Sequence, residues 1–236
     1  IAGWDDTYEA LGDILYSDPP LYLAGGYKSA RAFLAEHLPG VNEATVRDYV
    51  RRINPSDATA DGLYNAIANI ASSCNAYYDG NINFYAQSTT CANTAFSTVI
   101  AHEEGHGLNV RYATGNGGDG MGEGNADVWA LYVYDTPING DDFFLSGGDV
   151  RNGNNTRPFC GDCNPGCYGE VHADGEPWMG AAWKTRVALD NALGNTAGDL
   201  VADQLFLAWM NAYNQTQIQS VIELQWLLLD DDDANI

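Results

Sequence analysis

The stretch Thr98-Val-Ile-Ala-His-Glu-Glu-Gly-His-Gly-Leu108 decides how this chain is read, because an apolar run leads directly into the pattern H-E-x-x-H. On an α-helix His102 and His106 are separated by about one turn, so both imidazoles leave the same face toward one point. A single metal ion can accept both. Zinc takes neutral imidazole nitrogens readily and is usually tetrahedral, so the pair fills half of a site that still needs a third protein ligand and a position for water. Glu103 follows the first ligand and is placed to take a proton from that water, the arrangement expected of a zinc hydrolase. The chain holds only 4 His. Two stand here and His172 belongs to a later motif, which leaves His37 alone without a role.

Working outward, the segment downstream is a glycine-rich turn over residues 115–120 followed by Met121-Gly-Glu-Gly-Asn-Ala-Asp-Val-Trp-Ala-Leu-Tyr132. Glu123 and Asp127 lie on one helical face, with apolar residues over the rest. Glu123 can be the third zinc ligand, and Asp127 can accept the other ring N–H of a zinc histidine, fixing its tautomer. Alone, a Glu and an Asp on a helix are a solvated face; next to the His pair they are much more specific. Upstream, Asn75-Ala-Tyr-Tyr-Asp-Gly-Asn-Ile-Asn-Phe-Tyr85 reads as two strands about an Asp79-Gly80 turn. Such a hairpin is either an ordinary piece of sheet or a strand edge beside the metal, able to pair with an extended peptide.

The first 73 residues read as scaffold: helices over 6–17, 28–37, 43–53 and 57–72, broken by Pro19-Pro20, Gly25-Gly26, Pro39-Gly40 and Pro55. After the second motif comes a polar loop over 141–169, rich in Gly and Asn. It leads to Glu170-Val-His-Ala-Asp-Gly-Glu-Pro-Trp178, an amphipathic stretch over 178–193, and helices over 196–213 and 220–229. His172 is either a structural histidine or a donor to the oxyanion of a tetrahedral intermediate.

Composition sets the outer bounds. With 32 Asp plus Glu against 10 Lys plus Arg the formal net charge is -22, a surface that repels nucleic-acid phosphate and anionic lipid, so neither is an expected partner. Bound calcium, with ligands unassigned, or life in salty water is the expected counterpart, and solubility alone is the alternative. No run of apolar residues is long enough to span a bilayer. The 5 Cys suit an oxidising compartment and hence secretion. Cys74 is expected to pair with Cys91 across the hairpin, and two of Cys160, Cys163 and Cys167 with each other; a zinc knuckle from the last three lacks a nearby fourth ligand.

Three motifs in order, His102-Glu103-x-x-His106, Gly122-Glu123-x-x-x-Asp127 and Val171-His172-Ala-x-Gly-Glu176, make residues 75–178 resemble the gluzincin metallopeptidases of the thermolysin-like and fungalysin-like kind. The resemblance implies a single α+β catalytic domain of two lobes. One is an N-terminal lobe over about 1–110, with a small sheet, helices and the zinc helix; the other is a mainly helical lobe over about 111–236. It implies zinc on His102, His106 and Glu123, Glu103 as general base, Asp127 behind a zinc histidine, His172 as transition-state donor, and Asn75 and Ala76 on the substrate backbone. No tyrosine stands at the spacing this family uses for a second oxyanion donor, so Tyr168 or Tyr112 is only a candidate. The expected activity is that of a secreted, monomeric zinc endopeptidase acting on peptides or proteins. The alternatives are a zinc aminopeptidase and a non-catalytic, metal-stabilised binding module.

Overall fold

The computed structural model describes residues 39–62, 64–114, 120–162 and 166–231. The helices expected over 6–17 and 28–37, His37, residues 115–119 of the glycine-rich turn, Cys163 and the acidic end over 232–236 lie outside the described residues.

The protein mixes helix with small sheets, helix predominating. Helix α1 (Pro39–Ile53) opens on Pro39, where a missing backbone N–H costs nothing because a first-turn N–H has no partner within the helix. A 3-10 turn (Thr59–Asp61) and strand β1 (Ala66–Ile70) follow. The helix expected over 57–72 is therefore absent, and the segment is turn and strand instead. Its apolar residues fall at helical spacing by accident. β1 is half-exposed, apart from one irregularity it pairs parallel to β3, and it carries no clean alternation of buried and exposed residues.

The hairpin is present. Strands β2 (Ala76–Tyr78) and β3 (Ile82–Tyr85) pair antiparallel with Tyr77 opposite Asn83, and among the described residues the sheet order β1-β3-β2 leaves β2 on an edge. The Cys74–Cys91 disulfide ties the start of β2 to the loop before the next helix. Helix α2 (Ser97–Arg111) carries the first motif and is buried almost all round, as a helix between two packed layers must be. Val99 and Ile100 face the sheet cluster of Ile82, Phe84 and Phe143, whereas Ala101 and Leu108 face the helical cluster of Trp129, Trp178, Phe206 and Trp209.

Helix α3 (Gly120–Tyr134) is followed by a two-stranded ribbon, β4 (Ile138–Asn139) with β5 (Arg151–Asn152). Helix α4 (Val171–Leu193) starts earlier than the amphipathic stretch from Trp178 implies, because the Glu170 side chain caps it by accepting from Ala173 N. His172 thereby sits in the first turn of a helix. Helices α5 (Asn195–Trp209) and α6 (Val221–Asp230) complete the core. The second cysteine pair is Cys160–Cys167.

Two crossings bring the motifs together. A Cβ on Gly105, between the two motif histidines, would lie 3.0 Å from Ala126 Cα, so α2 and α3 touch closely there. At the other crossing a Cβ on Gly175 would lie 2.7 Å from Gly124 N and 2.9 Å from Gly120 O, so α4 meets α3 backbone to backbone. Glycine at these places lets Glu123 approach the His pair from one side and His172 approach from the other.

Candidate metal centre

His102, His106 and Glu123 offer donor atoms that all lie within 4.8 Å of one another. Glu123 Oε2 is 3.2 Å from His102 Nε2, 3.6 Å from His106 Nε2 and 3.3 Å from His172 Nε2. This oxygen is buried, yet with none of the three nitrogens is the hydrogen-bond geometry met. Buried polar atoms are nearly always paired, so an oxygen ringed by imidazole nitrogens at poor angles is what a metal's donor set looks like in outline. Two imidazoles and a carboxylate suit zinc, copper, nickel or iron better than calcium or magnesium, which take oxygen donors. Among the described residues no second group of three or more His, Cys, Asp or Glu side chains is arranged for an ion.

The face behind His102 is built from Asp127, whose side chain is 0% exposed. Its Oδ1 lies 2.9 Å from His102 Nδ1 and accepts from Asn139 Nδ2 and Arg151 Nη2, both at 2.8 Å, while Oδ2 accepts from Arg151 Nε at 2.6 Å. The ribbon explains the convergence, since Asn139 and Arg151 are register partners on β4 and β5. With the Nδ1 proton directed to Asp127, Nε2 of His102 is turned toward the donor cluster. Arg151 Nη2 also stands 3.4 Å from Nδ1, a contact between two donors and hence an electrostatic neighbour rather than a bond.

These charges shift one another. Burial would push the His102 imidazole down, but Asp127 above all, with Glu123, reverses this and raises it to about 10 in the metal-free protein. Burial would raise Asp127, yet Arg151 and His102 hold it well below the usual carboxylate range. Glu123 is likewise held low against its burial by the two histidines. Glu103 goes the other way: burial raises its carboxyl, and the neighbouring histidines only moderate the shift. A carboxyl moved toward neutrality is better matched to proton transfer.

A cleft of about 350 Å³ opens over this cluster, lined by Asn75 to Tyr78 on one side and by His102, Glu103, His106, Glu123 and His172 on the other. Asn75 and Ala76 are thus brought to the site by the edge strand. The Asn75 carbonyl is fixed by Tyr85 N and Thr94 Oγ1, at 3.2 and 2.9 Å. His172, 42% exposed, is held by Glu170, with Nδ1 2.5 Å from Oε1. Partial burial raises Glu170, and the bonds from His172 and Ala173 N outweigh it, so the carboxyl lies below its ordinary range.

Tyr168 and Tyr112 are not brought to the cleft. The Tyr168 hydroxyl donates to Pro158 O at 2.7 Å and that of Tyr112 to Asp57 Oδ2 at 2.7 Å, each committed elsewhere. Arg151, Asn139 and Glu170 are site residues that the motifs do not reveal. Asp127 in the apolar run Ala-Asp-Val-Trp-Ala-Leu signals a buried carboxylate that needs a cation, but nothing local says which of the chain's few arginines supplies it.

No protein-family model matches the chain, and no curated protein matches it either. The functional reading rests on the site itself.

Proposed function

We propose that this protein is a zinc-dependent peptidase of the gluzincin kind, cutting peptide bonds within the cleft. The observation that carries the reading is the convergence of His102, His106 and Glu123 in a cleft that also holds Glu103 and His172. Two nitrogens and one oxygen leave a tetrahedral ion one open position, the pattern of a catalytic rather than a structural site.

When bound, zinc supplies Lewis acidity, lowering the pKa of a water from about 16 toward about 7. Glu103 accepts the proton of the attacking water and returns it to the leaving amine, since a base can come back as an acid. His172, oriented by Glu170, donates from Nε2 to the oxyanion that develops on the scissile carbonyl. Asp127 and Arg151 hold His102 in the tautomer that keeps Nε2 toward the cleft. The edge of β2 aligns an extended substrate by strand pairing. The disulfides accord with a secreted protein, and no helix among the described residues is long and apolar enough to cross a membrane.

The test is turnover of a quenched peptide library at matched zinc content. Glu103→Gln should retain zinc and lose cleavage, and His172→Ala should retain zinc with a rate about 100- to 1,000-fold lower. Unchanged turnover in Glu103→Gln would exclude the mechanism, and a zinc-loaded wild type inert toward every peptide would exclude the activity.

A further inference from the structure

We infer that the cleft selects cationic peptides, those with Lys or Arg close to the scissile bond, over neutral and anionic ones. The inference rests on the peptidase reading above and names the substrate class of that same site.

The charge of the chain as a whole is one-sided, with 32 Asp plus Glu against 10 Lys plus Arg. Among the described residues the ionisable lining of the cleft consists of Glu103, Glu123, three histidines, Tyr77 and Tyr78, without a lysine or arginine. Arg151, the arginine behind it, is 11% exposed and spent on Asp127. The other described basic side chains are also engaged. Arg47, Arg51, Arg52, Arg157 and Arg186 pair with carboxylates, and Arg111 and Lys184 donate to backbone carbonyls. Exposed carboxylates such as Asp141, Asp142, Glu223 and Asp230 remain. A divalent ion offsets the charges of Glu103 and Glu123 and leaves the chain strongly anionic, given its formal net charge of -22. Such a field draws in cationic ligands and raises their encounter rate by about 10- to 1,000-fold at low salt.

The cleft also has a surface that suits a cationic side chain. Tyr77, 36% exposed, and Tyr78 line it, and their rings are braced edge-on against Tyr85 and Tyr64 at 5.9 and 5.7 Å. Elsewhere in the molecule tyrosine faces repeatedly hold guanidinium groups, Arg111 at 4.2 Å from the Tyr64 ring centre and Arg157 at 4.8 Å from that of Tyr168. A substrate Lys or Arg beside Tyr77 gains the same attraction, about 0.5–1 kcal/mol at an exposed site. That local attraction complements the long-range field.

Three peptides sharing one central sequence, flanked by Lys, Ser or Glu, decide the matter. Their binding to zinc-loaded Glu103→Gln protein is read by fluorescence anisotropy at about 10 mM and about 1 M salt, where the screening length falls from about 30 to about 3 Å. At low salt the Lys peptide should bind about 10- to 100-fold tighter than the Ser peptide, and the Glu peptide weaker still. High salt should shrink the gap to a few-fold. Tyr77→Leu should lose that salt-resistant remainder and Tyr77→Phe should keep it. Equal affinities at low salt, or a preference for the Glu peptide, overturn the inference; an unaltered remainder in Tyr77→Leu overturns the part given to Tyr77. Because the binding assay needs no turnover, a wild type that cleaves nothing would defeat the peptidase reading while leaving this comparison decisive on its own.

Discussion

Asp127 concentrates more of the site's organisation than any of the three candidate ligands does, because one buried carboxylate accepts from His102, Asn139 and Arg151 together. Asp127→Asn keeps the shape but removes the charge that both Arg151 and the His102 ring require. Metal affinity should fall by about 10- to 100-fold, read by competition with a chelator. A protein that bound zinc as tightly as wild type would show that Asp127 does not set the His102 tautomer. The same network predicts a pH dependence. With His102 raised to about 10 in the metal-free state, the ring is protonated at neutral pH, and a zinc ion must displace that proton to reach Nε2. Zinc uptake near pH 7.5 should therefore release about one proton through His102, and apparent affinity should weaken by about tenfold for each pH unit of acidification. Calorimetry in two buffers of different ionisation enthalpy measures the count, and a buffer-independent heat would refute it.

At the scale of elements, the crossing of α3 and α4 decides whether His172 reaches the cleft. A methyl on Gly175 would meet backbone atoms at Gly124 and Gly120, and backbone cannot step aside as a flexible side chain can. Overpacking of this kind costs about 1–3 kcal/mol and is relieved by moving a helix. Gly175→Ala should therefore lower kcat more than it raises KM, with the zinc content retained. Gly180→Ala on the same helix, where the nearest atoms to the added methyl belong to the Asn155 side chain, should be milder. Equal effects would mean the crossing is not what positions His172. This crossing also marks where sequence reading stops. The motif helices and the Asp79–Gly80 hairpin are legible because their signals are local: apolar runs, ligand spacing, a turn dipeptide. Gly124 and Gly175 look like helix-weakening residues until both helices are placed, and β1 looks helical because a half-exposed strand need not alternate. The early start of α4 is masked by Pro177 inside it, although Glu170 is a cap in plain view.

On the scale of the whole molecule, a second buried charge network ties the scaffold together away from the metal. Arg186 on α4 pairs with Asp203 and with Asp199 at 2.7 Å, both on α5, and with Asp135 at 3.3 Å beyond the end of α3. Asp203 in turn accepts from Tyr49 at 2.9 Å and Arg52 at 3.0 Å on α1. Four helical segments thus share one cluster. Burial raises the Asp203 carboxyl above its ordinary range even with Arg186 beside it, whereas burial would lower Arg186 and Asp203 with Asp199 raise it instead, so desolvation dominates at the carboxylate and attraction at the guanidinium. Two consequences follow from that imbalance. Arg186→Met leaves Asp203 buried without its main cation and should destabilise the protein by about 3–5 kcal/mol. The double change Arg186→Met with Asp203→Leu removes both desolvated charges and should recover part of that loss, because apolar replacement of a buried pair is often neutral or stabilising, less about 1–3 kcal/mol for the buried Tyr49 hydroxyl that loses its acceptor. Urea unfolding of the three proteins gives the comparison, and zinc content and turnover measured well below the transition should stay near wild type, since no member of this cluster lines the cleft. A single Arg186→Met protein as stable as wild type would contradict the argument, as would a double variant no more stable than the single one.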